Sequence, residues 1–107
     1  MEPHQDRLFK TLADPTRRAI FERLCRRGEH TVGALTEWAC VSQPAVSKHL
    51  GILREAGLVL DRPEGRQTHY SARVEGLAPL VGWAERMAGF WCGRFDKLED
   101  LLKRIDQ

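Results

Sequence analysis

Apolar residues recur at helical spacing through most of this chain and alternate in one short stretch. Asp6 to Ala13 predicts a short first helix, with Leu8, Phe9 and Leu12 as its apolar contacts. Asp14-Pro15-Thr16 restarts the chain, because aspartate caps free N–H groups and proline suits the first helical position. A second helix follows from Thr16 to about Arg27, with Ala19, Ile20, Leu24 and Cys25 on or beside its inward stripe, and Gly28 stops it. Thr31 caps a third helix, Val32 to Cys40, whose inward positions are Val32, Leu35 and Ala39. Val41-Ser42-Gln43 turns the chain into a fourth helix, which ends at Ala56-Gly57.

In the fourth helix Val46, Leu50 and Leu53 share one side, while Gln43, Ser47, Lys48 and Arg54 project elsewhere. That outer face is short, polar and mildly basic, which suits a helix lying in a DNA major groove. It also describes an ordinary amphipathic helix with a solvated face, so the neighbouring elements decide. Before it lies a short helix joined by a tight turn, a helix-turn-helix pattern spanning residues 31–57. After it, Val59 to Arg62 and Gln67 to Ser71 alternate across the turn Pro63-Glu64-Gly65-Arg66, predicting a β-hairpin wing over residues 58–72. Arg62, Arg66 and Gln67 fall at or near its tip, placed for phosphates or a minor groove.

The remainder reads as one long helix over residues 77–105. Alternating steps of four and three from Leu80 give Leu80, Ala84, Met87, Trp91, Arg94, Leu98, Leu101 and Ile105. Only Arg94 is polar, with Phe95 beside it, and Trp83 and Phe90 widen the stripe. A helix this apolar exceeds what so small a domain can bury, which predicts a seam with a second copy. Folding back onto its own domain is the alternative.

Composition narrows the class. The chain has 107 residues, 42% hydrophobic and 30% charged, which fits one globular domain over 1–107. The net charge of +2 is unevenly spread: residues 1–30 carry seven Lys/Arg against five Asp/Glu, and residues 42–73 carry five against three. Arg17, Arg18, Arg23, Arg26 and Arg27 give the second helix a basic face, the usual pattern of a solvated surface. Cys25, Cys40 and Cys92 are odd in number and unpaired by motif, which argues against a disulfide framework or zinc ribbon and suits a reducing cytoplasm. The opening residues lack a signal-peptide pattern and no apolar run approaches a membrane span, so no membrane association is expected. Ser47 and His49 lie two apart on one helix and point away from each other, and Gly89-Phe90-Trp91-Cys92-Gly93 carries no phosphate-binding fingerprint. No catalytic residue is expected, and the chain is not expected to be an enzyme.

Three motifs carry a family resemblance: Leu8-Phe9-Lys10-Thr11-Leu12-Ala13-Asp14-Pro15-Thr16-Arg17-Arg18, then Ser42-Gln43-Pro44-Ala45-Val46-Ser47-Lys48-His49-Leu50 continued through Val59, then Glu64-Gly65-Arg66-Gln67-Thr68-His69-Tyr70. In this order and spacing they resemble the ArsR family of winged helix-turn-helix repressors over residues 8 to about 72. The resemblance implies a mainly α fold with a small β-hairpin wing and a homodimer through the first and last helices. It also implies a reading head of helices three and four, and a double-stranded DNA operator as partner. The family's metal sensors often carry Cys-x-Cys-Asp in the third helix; the matching positions here are Thr31, Val32, Gly33 and Ala34. Others use Asp and His of the terminal helix, and no histidine follows His69. No metal or cofactor is therefore expected, and the chain is most similar to the SdpR-like branch, which represses without a recognised metal effector.

Gln43, Ser47 and Lys48 are the expected base-edge or nearby backbone contacts, with Pro44 and Ala45 against a thymine methyl or simply permitting close approach. Thr31, Ser42 and Arg54 are expected on phosphates, Arg62, Arg66 and Gln67 on phosphates or in a minor groove, and His49 either on a phosphate or bracing the domain. The expected dimer contacts are Leu8, Phe9, Leu80, Ala84, Met87, Trp91, Phe95, Leu98, Leu101 and Ile105. Two other readings stay open at this level: a metal- or thiol-responsive sensor using the cysteines, and a protein-interaction module. The operator and any effector are unknown from sequence.

Overall fold

Helix-compatible stripes and three side-chain caps set the architecture of the computed structural model, which describes residues 3–90 and 102–103. The chain order is α1 (Pro3–Ala13), α2 (Pro15–Arg27), β1 (His30–Thr31), α3 (Val32–Ala39), α4 (Gln43–Glu55), β2 (Val59–Glu64), β3 (Gln67–Ala72), a single 3-10 turn (Val74–Leu77) and α5 (Ala78–Gly89). The caps are those the residue types require. Asp14 accepts the Arg17 N–H at 2.9 Å, Thr31 accepts the Ala34 N–H, and Ser42 accepts the Ala45 N–H. The Arg17 N–H bond is the main reason the Asp14 carboxyl lies below its ordinary value.

The core is one cluster to which every helix up to α4 contributes: Leu8, Ile20, Phe21, Leu24, Leu35, Val46, Leu50, Leu53, Ala56, Leu58 and Val59. Leu12, Val32, Tyr70, Leu77 and Leu80 pack against it while partly exposed. The wing is a three-stranded antiparallel sheet in the order β1-β3-β2, where the sequence predicts two strands. β2 and β3 pair from Val59↔Ala72 to Glu64↔Gln67, and β1 adds His30↔Tyr70 and Thr31↔His69. This third strand anchors the base of the wing to the start of α3.

Several expectations change. The first helix begins at Pro3, not Asp6. Cys25 is exposed, and Phe21, one helical turn earlier, is buried with Ile20 and Leu24. Leu8, expected at a dimer interface, is wholly buried inside its own chain and has no surface to offer a partner. The long terminal helix is described as α5 to Gly89; Trp91, Cys92, Phe95, Leu98, Leu101 and Ile105 lie outside the described residues. No helix among those described is long and apolar enough to cross a membrane.

Two left-handed positions close the helices of the reading head. Cys40 caps α3 at φ 56°, ψ 35°, and Gly57 follows α4 at φ +79°. Around Gly57 the Leu58 N–H donates to Leu53 O at 2.9 Å and the Gly57 N–H to Arg54 O at 3.0 Å, a Schellman closure. Opposite outcomes are expected at these two sites. Gly57→Ala places a Cβ in left-handed backbone and lowers stability by about 1–2 kcal/mol. Cys40→Gly relieves that conformation and raises stability by up to about 1 kcal/mol. Urea unfolding of both variants beside the parent checks the signs.

Candidate nucleic-acid interface

The reading head is built by burying one side of α4. Val46, Leu50 and Leu53 have no exposed surface, so Gln43, Pro44, Ser47 and Lys48 stand exposed on the other side. Pro44 sits in the first turn, where its missing N–H leaves no helical bond unmade. Ala45 is half-buried at the edge. The Ser42 and Thr31 oxygens accept from their own helices, leaving each hydroxyl proton available to an outside acceptor.

Four sequence-predicted residues converge on one cleft of about 340 Å³ between the wing and the helix pair. Thr31 and Gly33 line it from the start of α3, Gln43 from the start of α4, and Arg66 and Gln67 from the wing. Val32, Thr68 and Tyr70 complete its lining. The cleft combines a helix N-terminus, a hydroxyl, an amide and a guanidinium, the donors that hold a phosphate beside a base edge. Among the described residues, neither Arg66 nor Lys48 has a carboxylate within ion-pair distance.

Two other predicted phosphate contacts are engaged within the chain. Arg54 Nη1 donates to Asp61 Oδ2 at 3.1 Å. Arg62 donates to both oxygens of Glu29, through Nη2 at 2.6 Å and Nε at 3.3 Å, and to Glu64 at 3.0 Å. The β-register explains this arrangement. Arg62 pairs with His69 across the strands and shares a face with Glu64 two residues on, while Glu29 reaches in from the α2–β1 link. The Arg62 hydrogen bond holds the Glu29 carboxyl below its ordinary value, and the same bonds push the Arg62 guanidinium further up.

His49 is braced on one side. Its Nδ1 lies 3.4 Å from Arg17 Nη1, a guanidinium nitrogen that can only donate. Arg17 also donates from Nε to Thr11 O at 2.7 Å, and Arg18 donates to Leu12 O at 2.8 Å. These two arginines satisfy the last carbonyls of α1, a role that a basic helix face does not announce. The usable signal is the one-residue break at Asp14, which leaves α1's orphan carbonyls within reach of the next helix's first turn. Trp38 is partly exposed, with the Arg23 guanidinium 5.2 Å from its ring centre. Among the described residues no three His, Cys, Asp or Glu side chains stand together as a metal site. Partial desolvation of the sulfur and the nearby Glu22 push the Cys25 thiol above its ordinary value.

A helix pair followed by a sheet wing, with a donor-rich cleft between them, defines a winged helix-turn-helix DNA-binding protein. Comparison with known proteins agrees. A helix-turn-helix domain family model matches residues 12–62. The HTH-type transcriptional regulator Rv2034 of Mycobacterium tuberculosis is 51% identical over 80% of this chain and 77% of its own. The arsenical resistance operon repressor of Escherichia coli is 37% identical (92% and 81% covered), and the transcriptional repressor SdpR of Bacillus subtilis 36% (71% and 83%). Among solved structures, the ArsR family transcriptional regulator RHA00566 superposes with a TM-score of 0.75 at 30% identity, covering 85% of this chain and 94% of that one. A homodimeric winged helix-turn-helix domain from Mycobacterium bovis gives 0.64 at 29%, covering 80% and 79%. The chain belongs to the ArsR family and is a DNA-binding transcriptional repressor.

The Glu29–Arg62 pair has a defined pH signature. A carboxyl held low in the folded state contributes stability above its unfolded pKa and loses it as pH falls through the folded value. Glu29→Gln is therefore expected to be less stable than the parent near neutral pH, with the difference vanishing on the acid side. Urea unfolding of both proteins along a pH series measures it; a constant difference at all pH values would contradict the assignment.

Proposed function

We propose that this protein acts as a cytoplasmic homodimer that represses its own or a neighbouring operon by binding a pseudo-palindromic operator, and that it has no catalytic activity. Two copies of α4, related by the dimer two-fold, enter successive major grooves roughly 34 Å apart. Gln43, Ser47 and Lys48 face the base edges, with Pro44, Ala45 and His49 at their margins. Thr31, Ser42, Arg66 and Gln67 hold phosphates, and Arg54 and Arg62 add to these only by exchanging their present carboxylate partners. The observation that carries the reading is the cleft that gathers Thr31, Gln43, Arg66 and Gln67.

The dimer is supported by an apolar face left open on the single chain. Phe9 of α1 and Trp83 of α5 meet edge to face, ring centres 5.0 Å apart, and each stays about 40% exposed. Met87 and Phe90, four and seven residues after Trp83, continue this exposed apolar surface, while Val81 and Ala84 are exposed elsewhere on the same helix. Leu80 instead turns partly into its own core. A seam of α1 and α5 against their copies would cover these rings, and the expected contacts from Trp91 to Ile105 would extend it.

Two substitutions test the DNA reading in different ways. Gln43→Ala is expected to relax discrimination at one position of each half-site by about 1–3 kcal/mol. Arg66→Ala should weaken binding to all sequences and flatten the dependence of log affinity on log salt by about one per subunit. Titration of operator and random duplexes across a salt series reads both. Parent-like binding by both variants would move the reading head elsewhere, and failure of the parent to retain any duplex would favour a protein-interaction module.

A further inference from the structure

The C-terminal end of the recognition helix and the start of α5 are fastened together at one point. The left-handed Gly57 that stops α4 turns its carbonyl toward Arg73, whose Nη1 donates to it at 3.1 Å. The Arg73 N–H donates to Leu58 O at 2.8 Å, and the Gly76 N–H donates to Arg73 O at 3.0 Å. Gly76 is buried against this turn so closely that a methyl group there would collide with the Gly57 carbonyl and lie 3.2 Å from the Leu58 side chain. Two residues later α5 begins at Ala78, with Leu77 just before it and Leu80 in its first turn packed on the core.

This joint sits at the far end of a lever. The recognition helix has 13 residues, so its N-terminus with Gln43 lies about 20 Å from the joint. A tilt of about 10° there moves the reading end by about 3.4 Å, the rise of one base pair. Arg73 lies outside the apolar cluster, and its Nε is also 3.8 Å from Glu75 Oε2.

We propose that Arg73 and Gly76 are positioning residues: they fix the angle between the recognition helix and the dimer helix, and so set the half-site separation that the dimer accepts. The proposal rests on the reading of the protein as a DNA-bound dimer through α5. Neither residue needs to touch DNA. Arg73→Met keeps the aliphatic stem and removes the donor, Gly76→Ala forces the contact with Gly57 open, and Arg73→Lys returns a donor.

The test uses the full chain and duplexes carrying two copies of a half-site recovered by selection, with the separation varied one base pair at a time. The parent should prefer one separation. Arg73→Met and Gly76→Ala should shift that preference by a base pair or lose it, with dimer mass and affinity for an isolated half-site unchanged, and Arg73→Lys should restore it in part. A parent-like separation profile in folded Arg73→Met overturns the proposal, as does an equal loss of affinity for the isolated half-site. If Gly76→Ala does not fold, Arg73→Met decides alone. A parent with no preferred separation removes the dimer reading itself, and the positioning role with it.

Discussion

Burial of Val46, Leu50 and Leu53 is the constraint from which the interface follows. A helix docked on a core keeps a single rotational setting, the one that hides its apolar stripe. Turning α4 away from it would expose these three side chains at roughly 1.5–3 kcal/mol each, comparable to the whole stability of a small domain. The polar residues between them have no such preference. They are delivered to solvent, with Gln43 and Ser47 toward the N-terminal end that a groove can admit. The exposed face of α4 is in this sense a by-product of packing: the core chooses which residues are left outside.

Charge is redistributed by the fold. Along the chain the arginines look like a broad basic surface, yet much of that charge is spent internally. Arg17 and Arg18 close the end of α1, Arg54 meets Asp61, and Arg62 is held between Glu29 and Glu64. These pairs are largely exposed and add little to stability, so their effect is mainly orientation. What remains beside the reading head is narrow: Lys48 on α4 and Arg66 on the wing, with the helix N-termini. A narrow positive field around a polar recognition face favours a protein that chooses sites over one that coats DNA.

Local physics explains which features are legible in the sequence. Asp14, Thr31 and Ser42 announce helix starts because capping depends on residues three apart, and the stripe of α4 is written in its own spacing. The wing hairpin is equally local. The missed features are non-local. Strand β1 is two residues long and exists only because His30 and Thr31 meet β3 some forty residues on. The Glu29–Arg62 bond spans 33 positions, and the burial of Leu8 depends on how α1 lies across the core. The residues proposed for the site come from local patterns, whereas their convergence on one cleft, and the arginines withdrawn from it, depend on contacts between distant segments.

We propose that α4 reads a repeated half-site as part of a dimer. Selection of bound fragments from sheared genomic DNA by the full-length protein tests it most directly. The account predicts enrichment of one motif with two inverted half-sites, their centres about one helical turn or a multiple of it apart. Recovery of fragments with no shared motif, or of a single unrepeated half-site, would contradict it.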